Sequence, residues 1–311
     1  MSNTQVLDEF DQAVTIAFEH NPSISPEIKQ QATTYCEQAK LSHDGWKSAL
    51  PKLHECALMK KHDHIKFWCL EIIYHAVATR YMDLTEEERS QIRTSLFVFV
   101  RDVVPKTPLT PFLKGKLSSI FIAIIRHDFP SQWPTFFTDF ISLLPSAHDH
   151  GDGSEAIELF LRVMLSLEED VIQSDPSFGI RGARSKDDAN VAMRIKDAMR
   201  VGPLPALVQA LHAIITQYLT QKPQLAVMSL EVLAIYAEWI DVELLVNDMF
   251  FPLLYQVLSA AAEPCRVAAL KLLVGICNKG MPPAKRIALY NHINIIKVLS
   301  EYNFAQDQYG K

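Results

Sequence analysis

Glycine is scarce in this chain, with ten glycines against seventeen prolines in 311 residues. The dipeptides that open tight hairpins are nearly missing. Asp44-Gly45 and Asp152-Gly153 are present, but helical apolar spacing follows each of them and not the alternation of a strand. Long hydrophobic runs are also lacking. The longest, Ile120 to Ile125, is far short of the roughly 20 residues that span a bilayer, so no membrane segment is expected. A cationic-then-apolar leader is missing too, since the opening MSNTQVLDEFDQ is acidic.

Cysteine occurs without a pairing pattern. Cys36, Cys56, Cys69, Cys265 and Cys277 sit inside apolar helical stretches with no CxxC, which suits buried thiols in a reducing compartment. Basic excess is lacking, because the formal charge is −6. A protein that simply coats nucleic acid needs a net basic surface, so any RNA here must be held by a local patch. Catalytic signatures are missing as well, with no Gly-x-Ser-x-Gly, no P-loop and no glycine-rich phosphate motif. His62-Asp63-His64 and His148-Asp149-His150 look like metal ligands at first glance. Neighbouring helical positions point about 100° apart, and neither cluster has the four-residue spacing of a zinc helix. No enzyme, cofactor, metal or small-molecule substrate is expected.

What is present is helical punctuation. Residues 126 to 144 read RHDFPSQWPTFFTDFISLL. Pro130 ends an apolar run from Leu113, and Pro134 stands where a second helix begins. Phe136, Phe137, Phe140, Ile141 and Leu144 follow at helical spacing, and Trp133 is expected to fill the corner. Ser25-Pro26-Glu27 is a helix start, and Thr85-x-x-Glu88 is a capping box. Phe67, Leu70, Tyr74 and Val77 form a stripe that Cys69 and Ile73 widen, which implies packing on two sides. Asp241 is expected to cap a helix running through Leu258. A further helix is expected to bury Val267, Leu270, Val274 and Cys277 and to stop at Gly280. The stretch SDPSFGIRGARSK, 174 to 186, reads as the one long surface loop.

The helices fall into pairs whose first members begin near 26, 64, 109, 155, 223 and 264. A step of about 40 residues is that of HEAT-type hairpins. The expected fold is all-α, with HEAT-like helical-hairpin repeats stacked in a right-handed α-solenoid. Residues 1–144 would form amino-terminal repeats, 145–300 further repeats with a loop insertion at 174–186, and 301–311 a tail. A single pair cannot bury its own stripe, so stacking does so and leaves a concave face lined by second helices.

The hinge FPSQWPTFF resembles that of the importin-β-like transport receptors. Five further stretches are similar to the exportin-T branch of that superfamily, the tRNA export receptors. They are HDHIKFWCLEIIYHAV at 62, IELFLRVMLSLEEDVI at 157, MRIKDAMR at 193, WIDVELLVNDMFFPLL at 239 and NKGMPP at 278. The likeness runs from about residue 26 to about 290. It implies a superhelical receptor that binds the small GTPase Ran in its GTP form through the amino-terminal repeats, and tRNA cooperatively with it. It also implies contact with nuclear pore proteins and shuttling between nucleus and cytoplasm. Receptors of that branch continue for many more repeats, so the chain is expected to be a fragment, a truncated gene model or a short relative.

Two sets of residues are candidates for those partners. Exposed positions on the second helices of the first three pairs are expected to meet Ran: Lys47, Lys52, Arg89, Arg93, Thr138 and Asp139. Between 181 and 200, Arg181, Arg184, Lys186, Arg194, Lys196 and Arg200 outnumber Asp187, Asp188 and Asp197. They are phosphate-binding candidates or, equally, a solvated loop and helix face. Trp133, Phe136 and Phe137 could stack on bases, although filling a hairpin core is their commoner use. A helical protein scaffold with no GTPase dependence is the other functional reading.

Overall fold

A computed structural model describes residues 8–18, 22–144, 153–172, 186–260, 262–294 and 300. Among the described residues there are fourteen α-helices and no strand. In chain order they are α1 Glu9–Phe18, α2 Pro26–Leu41, α3 Gly45–Leu58, α4 Asp63–Arg80, α5 Glu86–Asp102, α6 Pro111–Asp128 and α7 Phe136–Ser142. Then follow α8 Ser154–Leu167, α9 Lys186–Val201, α10 Leu204–Tyr218, α11 Pro223–Tyr236, α12 Phe250–Ala260, α13 Glu263–Asn278 and α14 Pro283–Ile293. The fold is all-α and built of HEAT-like hairpins, whose first helices begin at Pro26, Asp63, Pro111, Ser154, Pro223 and Glu263.

Local chemistry explains the helix starts. The Ser25 hydroxyl accepts from the Ile28 amide at 3.4 Å, with Pro26 in the first helical position. Both arms of the capping box form at α5: the Glu88 amide donates to the Thr85 hydroxyl at 3.2 Å, and the Thr85 amide donates to the Glu88 carboxylate at 3.1 Å. Proline also occupies the first turn of α6, α11, α13 and α14, where its missing amide costs nothing.

The chain divides into two compact units, Met1–Trp133 with Asp152–Ser166 and Pro134–Gly151 with Leu167–Lys311. In the first, α4 packs against α2, α3 and α6, and its buried positions Ile65, Trp68, Cys69, Leu70, Ile72, Ile73, Ala76 and Val77 cover most of its circumference. Burial on that scale, at about 1.5–3 kcal/mol per large apolar side chain, is what a helix with neighbours on two sides gains. In the second unit, α11 lies between α10 and α13, and α12 packs on α13. The chain bends by 77° between α9 and α10 at Gly202-Pro203. No single helix among the described residues is long and apolar enough to cross a membrane.

Three sequence expectations are corrected. Asp241 caps only one 3-10 turn, Val242–Leu244, by accepting from the Glu243 amide. The helix through Leu258 starts instead at Phe250, because the Asn247 side chain accepts from the Met249 and Phe250 amides at 3.1 and 3.0 Å and holds the chain in a turn. In α13 the buried face is Cys265, Ala268, Ala269, Leu272, Leu273 and Ile276, while Val267 and Val274 are exposed. That helix is apolar on nearly every side, so its neighbour α11, and not its own periodicity, decides which face is covered. Gly280 does not supply a left-handed cap. Lys279 ends α13 in extended backbone, φ −55° and ψ 133°, that leads toward Pro282, whereas α14 does end on a left-handed residue, Asn294.

Candidate functional site

In the first unit, the residues before and within the hinge organise a buried polar hub. Asp128 is the last residue of α6 and is 2% exposed. Its carboxylate accepts from the Tyr81 hydroxyl and from the Arg93 guanidinium, which also pairs with Glu86 at 2.5 Å. Its backbone carbonyl accepts from the Gln132 and Trp133 amides at 2.7 and 3.1 Å. Burial pushes the Tyr81 phenol up, and the Asp128 carboxylate adds to that. The turn between carries a cis Phe129-Pro130 bond. The Trp133 ring lies edge-on to Phe97 at 6.3 Å and against Phe121 at 6.4 Å, so it packs back onto α5 and α6.

This hub redirects part of the expected GTPase surface. Arg93 is expected to be exposed, but its side chain is 11% exposed and spent on Glu86 and Asp128. Lys52 is likewise covered, at 12%, by Asp8, Asp11 and Glu55. Long cationic side chains reach inward wherever a buried carboxylate awaits them. Arg89 leans over the Tyr81 ring at 5.9 Å and pairs with Glu86 at 3.1 Å. Lys47 stays at the surface between Asp44 and Glu88, both at 2.8 Å. The exposed strip of α5 is Glu87, Ser90, Gln91 and Thr94. In the second unit, Thr138 is exposed and donates to the Thr135 carbonyl, while Asp139 accepts from the Thr135 hydroxyl at 2.9 Å.

The expected RNA-binding set is only partly described. Arg181 and Arg184, with the loop around them, lie outside the described residues. Lys186 opens α9 and is exposed, as is Arg194 two turns on. Lys196 and Arg200 converge on Trp239, 5.8 and 5.6 Å from its ring centre. Arg200 also donates to the Trp239 carbonyl at 3.0 Å and pairs with Asp197 at 2.9 Å. The Trp239 indole is held in turn by buried Glu168, which accepts from its Nε1 at 3.1 Å. Arg200 therefore satisfies a backbone carbonyl in the turn that follows α11. Phe136 and Phe137 are fully buried against each other and Phe140, with ring centres 5.1 and 4.8 Å apart, and are core residues.

Sequence reasoning missed Asp128, Tyr81, Glu168 and Trp239 as organising residues. A carboxylate at the end of an apolar helix was the only cue for Asp128, and the aromatic flank of WID for Trp239.

Residues 110–273 match the family described as Exportin 1-like protein. The chain belongs to the exportin 1-like family. Among relatives in that group, it is 29% identical over 300 residues to exportin-T of Dictyostelium discoideum, covering 96% of this chain and 25% of that protein. It is 28% identical to exportin-T of Arabidopsis thaliana, with 94% and 29% covered, and 27% identical to exportin-T of Homo sapiens, with 91% and 28% covered. This exportin 1-like chain thus spans between a quarter and a third of the length of the relatives it matches.

Proposed function

We propose that this chain acts in nuclear export of tRNA, contributing repeats that bind Ran in its GTP form and tRNA cooperatively. The observation that carries this reading is continuous similarity to proteins named exportin-T over more than nine-tenths of the chain. The work is coupled binding: each ligand selects the same arrangement of repeats, so each must tighten the other by the same factor. Hydrolysis of GTP by Ran in the cytoplasm would release both, and nuclear pore proteins would be met in transit. The chemistry belongs to the GTPase, and the receptor is no enzyme.

Within this reading the amino-terminal repeats, 1–144, face Ran. Lys47, Arg89, Thr138, Asp139 and the exposed strip Glu87, Ser90, Gln91 and Thr94 are the contact candidates. Lys52 and Arg93 serve from behind by fixing their helices. The repeats of 145–300 face RNA, with Lys186 and Arg194 presenting charge to phosphate and Lys196 and Arg200 held beside Trp239. Paired substitution Lys186→Glu with Arg194→Glu tests this. Affinity for tRNA at fixed salt should fall about tenfold or more, and the salt slope should shrink, since each lost phosphate contact lowers it by about one. Unchanged affinity and slope would remove α9 from the RNA site.

A further inference from the structure

The tightly packed pair α11 and α13 leaves an open groove of about 450 Å³ along its outer seam. It is lined by Ala234 and Ile235 on α11 and, at steps of three and four along one face of α13, by Lys271, Val274 and Gly275, with Lys279 at one end. The floor is made by small residues: a Cβ added at Gly275 would lie 3.0 Å from the Ala234 carbonyl oxygen, so the backbones meet there. Val274 stands 56% exposed on the wall, an apolar side chain with no cover. Neither α10 nor α12 reaches this seam to line it.

The charges at the two ends are unequal in their partners. Lys271, its side chain 61% exposed, is only loosely paired with Glu231 at 3.7 Å. The Lys279 ammonium donates to the Ala237 and Glu238 carbonyls at 3.1 and 3.2 Å, and no carboxylate among the described residues forms an ion pair with it. Burial lowers its pKa, Asp241 only partly offsets this, and Arg200 adds to the lowering. A cation in that setting is stabilised by an incoming anionic group. The apolar walls between the two lysines disfavour a phosphate backbone, which needs cations and water along its whole length.

We propose that the α11–α13 groove is a docking site for an acidic protein segment, an apolar side chain seating against Val274 and Ile235 while its carboxylates meet Lys279 and Lys271. The arrangement is the usual one for a short linear segment: apolar anchors fill the seam and charge at its ends sets direction. It is independent of the tRNA and Ran reading, since none of its residues belongs to the sets assigned to those partners.

The test uses three fluorescein-labelled probes in anisotropy titrations with the full chain. They are a peptide alternating aspartate and leucine, a matched peptide alternating lysine and leucine, and a mixed-sequence RNA. Val274→Glu and Lys271→Glu are exposed changes that should leave the helical melt in place. The acidic peptide is expected to bind, and each variant to weaken it about tenfold or more. Four results would overturn the proposal: no binding of the acidic peptide, equal binding of the lysine peptide, affinity untouched by either variant, or RNA as the only probe sensitive to them.

Discussion

Tyr81 and Asp128 meet across 47 residues of sequence, the phenol donating to a buried carboxylate at the end of α6. The carboxylate also neutralises Arg93, so the contact ties the end of α4, the middle of α5 and the hinge turn into one rigid corner. Asp128→Ala leaves Arg93 with Glu86 alone and the phenol without an acceptor. Breaking a buried pair in this way costs about 3 kcal/mol, and Tyr81→Phe should cost about 1–2 kcal/mol. Urea unfolding of the two variants measures both. A double variant losing less than the sum would confirm that the three groups act together.

Two glycines should respond in opposite directions to alanine. At Gly45, which opens α3, a Cβ would stand 2.4 Å from the Ala39 carbonyl oxygen and 3.3 Å from the Ile72 side chain. Gly45→Ala should therefore destabilise by roughly 1–3 kcal/mol as the hairpin is forced apart. At Gly115, inside α6, nothing lies within 4 Å of the added carbon. Gly115→Ala should stabilise by about 0.5–1 kcal/mol by reducing backbone freedom in the unfolded chain. Thermal melts of the two variants in one buffer give the comparison.

A pH dependence follows from His75 on α4. Burial lowers its pKa below the ordinary 6.5, and the Arg80 and Lys40 charges lower it further against the opposing pull of Glu71 and Glu37. Above 6.5 the imidazole is neutral in both folded and unfolded chains, and its contribution is complete. As pH falls below 6.5 the unfolded chain takes up the proton first, so stability falls until the lowered folded value is passed. Chemical denaturation of wild type and His75→Gln between about pH 7.5 and 5.5, roughly one unit either side of 6.5, should show a difference that shrinks with acid.

Much of this architecture is legible in residue order because it is written in local chemistry. Thr85 and Glu88 close their capping box regardless of what packs nearby, and Pro26, Pro111, Pro223 and Pro283 sit at helix starts for reasons internal to the backbone. Tertiary neighbours decide the rest. Arg93 lies at a position that a helical wheel can place on either flank of α5, and only Asp128, 35 residues away in sequence, draws it inward. Val267 and Val274 read as core on α13 because valine is apolar, yet the face that the neighbouring helices cover is that of Ala268, Ala269, Leu272 and Leu273. The candidate site suffers most from this, since exposure of a cation depends on which carboxylates the fold brings near it. Arg194 is exposed on α9, while Arg200, six residues on, is turned to the end of α11.

The measurement that bears most directly on the export reading is binding of this chain to Ran loaded with GTP or GDP, each with and without tRNA, at one salt concentration. The account predicts binding to the GTP form alone and tightening of that binding by tRNA, with Ran-GTP tightening tRNA by the same factor. Equal binding to both nucleotide forms, or none by a chain shown to be folded, would contradict it and leave a helical scaffold for other protein partners.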